Sequence, residues 1–203
     1  MEIESRSYNP GSVFRPKPVV LTRSESHLMI IVTSWTGHDM ANKSAQAIAD
    51  HIEGHAEAKD PLREALLGVA QDIYKHDNLK QARLLIEALV VKRQGSMVSW
   101  AQVGQPNLYL IRKGRVAPLS VQADLSVLDP ALPPLPMVGL GLTDKTNVLT
   151  GSARCQPGDQ LLFLAQSFEP AWPAWGENPS FQTVSQALIE AQPDLALWCG
   201  VST

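Results

Sequence analysis

The sequence has few cysteines and few aromatic residues for its length. Only two of its 203 residues are cysteine, and 6% are aromatic. Cys155 and Cys199 match no metal-binding spacing, and one disulfide would be an unusual framework for a chain of this size. We therefore expect neither a disulfide scaffold nor a cysteine metal site, and a reducing cytoplasm is the predicted compartment.

Long apolar runs and clusters of one charge are also missing. No apolar run approaches the roughly 18 residues that a membrane-spanning helix requires. The net charge is -3, and Lys and Arg do not cluster along the sequence, which argues against a nucleic-acid interface. The first five residues are acidic and polar, unlike a secretory leader. The expectation is a cytoplasmic protein that binds neither membranes nor nucleic acid.

The composition that remains is that of an ordinary globule. Hydrophobic residues make up 44% of the chain and charged residues 18%, and the length is sufficient to bury a substantial core. No internal repeat is visible. We predict a single domain over residues 1–203, in which residues 1–18 form a polar, partly irregular N-terminal extension.

Hydrophobic periodicity predicts an α+β order of elements. Predicted strands cover residues 19–21, 28–32, 97–103, 108–112, 161–165 and 196–201. One predicted helix covers residues 40–55. Two further helices are predicted to begin at N-cap residues, one at Asp60, with Pro61 in the first helical position, and one at Ser180. Residues 82–91 suit either a helix or a doubly buried strand, and residues 117–150 are predicted to be mostly loop.

Four short segments carry a resemblance through their order and spacing. They are residues 33–38 (TSWTGH), 100–110 (WAQVGQPNLYL), 157–164 (PGDQLLFL) and 193–197 (PDLAL). Together they resemble the metal-dependent PPM protein phosphatases, and above all the compact bacterial branch that includes the stage II sporulation phosphatase. The matching family segments are Gly-Asp-x-x-Gly-His, a Gly-Asp between two strands, Pro-Gly-Asp before an Asp-Gly, and a closing Asp-Asp/Asn-x-Thr.

The resemblance spans roughly residues 10 to 201 and implies a fold and a chemistry. The implied fold is a central antiparallel β-sandwich flanked by helices in four layers, αββα. In the family, aspartates at one end of the sandwich hold two Mg²⁺ or Mn²⁺ ions, and a bridging water attacks the phosphoester. Two such cations about 4 Å apart repel by about 17 kcal/mol at an effective dielectric of about 20, so the site needs several carboxylates.

The positions that match this metal site are almost all neutral here. By the resemblance, the degenerate site positions are Ser34, Trp35, Gln105, Gln166, Ser167, Pro193 and Asp194. The family-motif residues that remain are Gly37, His38 and Gly104. A serine, two glutamines and a proline lack the charge to hold two dications. The resemblance therefore implies a phosphatase frame with no catalytic residue and no metal.

Several other side chains have both a functional and a structural interpretation. His38 is a conceivable general base, although a Gly-His pair is more often a structural turn. His51 and His55 share a helix face and either bind a metal or are solvated. Trp172 and Trp175 form either an exposed recognition patch or a loop packed on the core. Asp159 is expected to serve its turn.

Three functions follow from these observations. The favoured one is a PPM-like pseudophosphatase that binds a protein partner, a phosphoprotein or a kinase-pathway component, and needs no cofactor. The first alternative is an active Mg/Mn-dependent Ser/Thr phosphatase with an atypical site that uses Asp39, Asp144 or Asp194. The second alternative is a module that binds a neutral polar small molecule in the emptied site.

Overall fold

The computed structural model describes residues 2–11, 16–77, 84–121, 138–165, 172 and 175–203. The strands are β1 (Glu4–Tyr8), β2 (Val19–Arg23), β3 (Leu28–Ser34), β4 (Ile86–Gln94), β5 (Met97–Val103), β6 (Asn107–Arg112), β7 (Arg115–Pro118), β8 (Leu149–Arg154), β9 (Gln160–Leu164) and β10 (Leu197–Ser202). The helices are α1 (His38–Gly54), α2 (Pro61–His76) and α3 (Phe181–Ala191).

Two antiparallel sheets of five strands pack face to face. Sheet 1 has the strand order β2-β3-β4-β5-β8, and sheet 2 has the order β1-β10-β9-β6-β7. Residues 104–106 cross from β5 in sheet 1 to β6 in sheet 2, and residues 155–159 cross from β8 to β9. Because these crossings lie at opposite ends of the strands, we call the two ends of the sandwich the Gly104 end and the Cys155 end.

Apolar side chains fill three layers between the elements. Ile30 and Val90 on the outer face of sheet 1 pack under α1 and α2. Ile31 and Phe163 belong to the core between the sheets, and Leu162 packs with α3 on the outer face of sheet 2. Adjacent residues of one strand enter different layers because side chains alternate across a sheet. The result is the αββα arrangement, which confirms the predicted fold class.

The helix boundaries agree closely with the sequence signals. Asp60 caps α2 by accepting a hydrogen bond from the backbone N–H of Arg63 at 3.1 Å. Ser180 caps α3 in the same way, with the N–H of Thr183 at 3.1 Å. These side-chain oxygens satisfy N–H groups that the first turn leaves without a partner, so both caps could be predicted from the residue types.

The ambiguous residues 82–91 resolve in favour of a strand where the structure describes them. β4 begins at Ile86 and pairs with β3 on one side and β5 on the other. Its first six residues are all buried. A central strand covered on both faces reads as a continuous apolar run, and such a run also matches helical spacing.

Three strands, β1, β7 and β8, were not predicted, and all three lie at the edge of a sheet. β1 falls in the N-terminal extension and pairs with β10, and four of its five residues are exposed. β8 begins at Leu149, at the end of the predicted loop, and alternates between half-buried and exposed residues. Polar edge strands pair through their backbones, so they carry little hydrophobic signal.

The tryptophan segment packs on the core. The ring of Trp172 lies edge-on to Tyr109 at 5.0 Å and to Trp175 at 6.2 Å. Both tryptophans contact the cluster on the outer face of sheet 2. The packing interpretation of this segment therefore describes these two side chains better than an exposed patch.

The rings of the two histidines at the end of α1 stack on each other. The rings of His51 and His55 are 5.7 Å apart, and Nε2 of His51 lies 3.4 Å from a carboxylate oxygen of Asp72. Among the described residues there is no group of three or more His, Cys, Asp or Glu that could hold a metal ion.

Both cysteines are buried and unpaired. Burial raises the pKa of the Cys199 thiol to about 12, and burial also raises the pKa of the Cys155 thiol.

No helix in the described part of the chain combines the length and the apolar character that crossing a membrane requires.

Asp159 stabilises the turn before β9, as predicted, and also forms an ion pair with Arg112. Its carboxylate accepts from the backbone N–H of Gln156 at 2.6 Å and from Nη2 of Arg112 at 2.6 Å. These bonds tie the β8–β9 crossing to the end of β6. The guanidinium of Arg112 holds the pKa of the Asp159 carboxyl below its ordinary value of 3.8.

Candidate functional site

The side chains of β3 and β4 that face the space between the sheets end in two polar residues at the Gly104 end. Thr33 and Glu87 are Cα partners across the two strands. They lie two residues from Ile31 and Leu89, which belong to the core between the sheets, so both side chains point between the sheets. Glu87 is only 1% exposed. The fold thus brings a carboxylate into the end of the sandwich.

Protein donors contact both oxygens of the Glu87 carboxylate. Its Oε1 accepts from the backbone N–H of Gln105 at 2.8 Å. Its Oε2 accepts from Nε1 of Trp35 at 3.0 Å and from Oγ1 of Thr33 at 3.4 Å. A buried charge costs several kcal/mol unless hydrogen bonds replace its hydration. These donors replace part of that hydration, so they stabilise Glu87 inside the protein.

The crossing from β5 to β6 fits closely against this side chain. Gly104 has a φ of +85°, a conformation that favours glycine, and a Cβ at this position would lie 2.5 Å from Oε1 of Glu87. Glycine therefore lets the backbone approach near enough for the neighbouring Gln105 N–H to reach the carboxylate.

Gln102 holds the same crossing from its other side. This residue is fully buried, and its Nε2 lies 3.0 Å from the carbonyl oxygen of Gly104 and 2.9 Å from that of Pro106. It also lies 2.9 Å from the carbonyl oxygen of Val121, whose N–H donates to Oε1 of Gln102 at 3.3 Å. One amide therefore fixes both the crossing and the segment after β7.

Ser34 is used by the turn that leads into α1. Its Oγ accepts from the backbone N–H of Thr36 at 3.3 Å and shares a hydrogen bond with Oγ1 of Thr36 at 3.0 Å. Ser34 is 5% exposed. Gly37 follows with a φ of +137° as the N-cap of α1, and His38 opens the helix as an exposed residue. Gly37 therefore forms the turn that begins α1, and the interpretation of His38 stays a prediction.

The other site positions that the structure describes lie at the surface. Pro193 is exposed, and its carbonyl oxygen accepts from the hydroxyl of Tyr8 at 2.8 Å. Asp194 is exposed beside it, and Asp39 and Asp144 are exposed on separate segments. Gln166 and Ser167 lie outside the described residues.

The structure therefore brings three residues of the predicted site together around a residue that the sequence did not single out. Trp35, Gly104 and Gln105 converge on Glu87, which the resemblance did not single out. A signal was present, since Glu87 is the one acid in the apolar run from residue 84 to residue 91. That run had no assigned secondary structure, so the face on which the acid lies could not be inferred.

Comparison with known proteins finds similarity in structure and not in sequence. No protein-family model and no curated protein sequence matches the chain. The PppA protein of Pseudomonas aeruginosa, described as a key regulatory component of T6SS, is 14% identical with a TM-score of 0.70. That match covers 98% of this chain and 96% of PppA.

Two further matches are phosphatases. The PPM Ser-Thr phosphatase MsPP of Mycobacterium smegmatis is 14% identical, with a TM-score of 0.66 over 99% of this chain and 97% of that one. The serine/threonine phosphatase Stp1 of Staphylococcus aureus is 10% identical, with a TM-score of 0.68 over 98% and 93%. The two five-stranded sheets and their helices, matched over nearly whole chains, show that this protein has the fold of the PPM-type Ser/Thr phosphatases.

Proposed function

We propose that this chain is a PPM-like pseudophosphatase, a binding or regulatory module of a phosphorylation pathway. The observation that carries the proposal is the buried carboxylate of Glu87. Protein donors bind both of its oxygens, and the site positions Ser34, Trp35 and Gln105 near it are neutral. The Gly104 end is held together by hydrogen bonds within the protein.

The donor set does not fit two divalent cations. One carboxylate supplies a single negative charge, and its Oε1 and Oε2 already accept hydrogen bonds. Two dications need several charged oxygen ligands to offset their mutual repulsion. We therefore derive no metal-dependent step for this site.

A regulatory role has one supporting likeness. PppA, whose fold this chain matches over nearly its whole length, is described as a regulatory component. A phosphatase frame without its chemistry would act by docking, and we propose a protein partner, either a phosphoprotein or a component of a kinase pathway.

The alternative function is an active phosphatase with an atypical site. The similarity in fold to two phosphatases supports it. It would draw on Asp39, Asp144 or Asp194, which are exposed on separate segments. A small-molecule site in the emptied position has less support, because Ser34 and Gln105 are 5% and 1% exposed. Buried side chains leave little polar surface for a ligand there.

The test is a phosphatase assay of the full chain with a phosphoserine peptide and millimolar Mn²⁺, together with calorimetry of Mn²⁺ binding. We expect no Mn²⁺-dependent turnover and no binding heat. Turnover that EDTA abolishes, and that falls in an Asp39→Asn, Asp144→Asn or Asp194→Asn variant, would establish the active alternative. Mn²⁺-dependent turnover at the rate of an ordinary phosphatase that all three variants retain would also overturn the proposal, because the chain would then act through other ligands.

A further inference from the structure

A cavity of about 600 Å³ opens on the outer face of sheet 1, away from the Glu87 site. Strands β4, β5 and β8 form its floor, and the loop between α1 and α2 forms a wall. Its polar lining includes Lys59, Lys92, Ser99 and Ser152. Lys92 lies five residues beyond Glu87 on β4, which corresponds to about 17 Å along the strand.

The floor of the cavity is a polar row set by strand register. Lys92 is the Cα partner of Ser99, and Ser99 is the partner of Ser152, so one residue from each strand lies side by side on one face. Two residues nearer the Gly104 end, the same face carries Val90 and Ala101, which pack under the helices. The polar row begins where that packed apolar face ends.

Two of the three charged residues that line this cavity are lysines. The side-chain ammonium groups of Lys59 and Lys92 form no ion pair with an acid in the described part of the chain. Arg154 lies two residues beyond Ser152 and therefore on the same face. The one acid in the lining is Asp60, and its Oδ1 already caps α2. Lys92 is also half-buried, so its charge is only partly hydrated.

The geometry points to this cavity as a binding site for a small phosphate-bearing ligand. Two ammonium groups and a row of hydroxyls offer several donors to one ligand, and phosphate accepts several hydrogen bonds through its oxygens. Lysine binds phosphate as a point charge and needs no fixed planar geometry. The concave shape suits a small anion, and the site lies apart from Glu87, so it does not depend on the state of the phosphatase site.

Calorimetric titration of the full chain with pyrophosphate tests this assignment. EDTA is present throughout, which prevents binding through a metal ion, and the salt concentration is low, which preserves charge interactions. We expect saturable binding at one site with a Kd below about 1 mM. We expect Lys92→Met to weaken binding about tenfold, as the loss of one charged contact does.

Two further variants make the result specific. Lys59→Met changes an exposed loop residue, so the fold should survive, and we expect it also to weaken binding several-fold. The matched control is Lys43→Met on α1, beside a different cavity near β2, and we expect its Kd to stay within twofold of the wild-type value. Absence of saturable binding up to about 10 mM pyrophosphate, or an equal loss in all three variants, overturns the assignment.

Amide chemical shifts locate the site independently of the variants. Pyrophosphate should shift the amide signals of Ser99, Gly151 and Ser152, which line the cavity. Shifts confined to Gly104 and Gln105 would place the anion at the other end of the sandwich and overturn the assignment.

Discussion

The backbone N–H of Gln105 donates a 2.8 Å hydrogen bond to Oε1 of Glu87. The two residues are 18 positions apart and belong to a strand and to the crossing between the sheets. A backbone group thus satisfies a carboxylate that is almost fully buried. The packing of the crossing against β4 therefore supplies a backbone donor for the carboxylate at the Gly104 end.

Removal of the Glu87 carboxylate should destabilise the protein. Glu87→Ala removes the carboxylate to which Gln105 and Trp35 donate, and we expect a loss of about 3 kcal/mol or more in the free energy of unfolding. Urea denaturation measures it. The matched control, Glu53→Ala on the exposed face of α1, should change stability by less than about 0.5 kcal/mol. Equal effects in both variants would contradict a structural role for Glu87.

A side chain at position 104 should collide with Glu87. We expect Gly104→Ala to cost about 3 kcal/mol, because it combines an unfavourable positive φ with a close contact. Gly95→Ala is the control, since Gly95 also has a positive φ but open space around it, and it should cost about 1 kcal/mol. In a Glu87→Ala background the cost of Gly104→Ala should fall. Independent effects of the two changes would show that the two residues are not coupled.

Carboxylates restored at the neutral positions should make the Gly104 end depend on metal. Ser34→Asp combined with Gln105→Asp adds two buried charges to that of Glu87, and we expect a loss of about 3 kcal/mol or more without metal. Millimolar Mn²⁺ should raise the Tm of this variant by several degrees and leave the wild type unchanged. The uncharged control, Ser34→Asn with Gln105→Asn, should not respond. A rise in the wild-type Tm with Mn²⁺ would contradict the proposed loss of metal binding.

Stability in acid should depend on Asp159. Its folded pKa is lowered by Arg112, so its contribution is fully present above the ordinary value of 3.8 and is lost as the pH falls through the lowered pKa. In Asp159→Asn the free energy of unfolding should fall less steeply between about pH 5 and pH 2. Denaturant titrations across that range measure the difference. Identical slopes in the two proteins would show that Asp159 makes no such contribution.

Sequence patterns predicted the elements whose signal is local. The stripe of α2, the caps Asp60 and Ser180, and the apolar strand that begins at Leu28 depend on neighbouring residues alone. The patterns failed where partners determine the structure. β1 and β8 are polar edge strands that pair through their backbones, and β4 is a strand because β3 and β5 flank it.

The candidate site divides in the same way. The sequence alone determined that Ser34, Gln105 and Pro193 are neutral at positions where the resemblance implies acids, since residue identity needs no coordinates. The tertiary structure alone decided that Glu87 lies between the sheets, because register and side-chain alternation place it beside Thr33. It also decided that Gly104 and Gln105 close over this carboxylate. A hydrogen bond across 18 residues depends on how two strands and a crossing pack, and no local pattern encodes that packing.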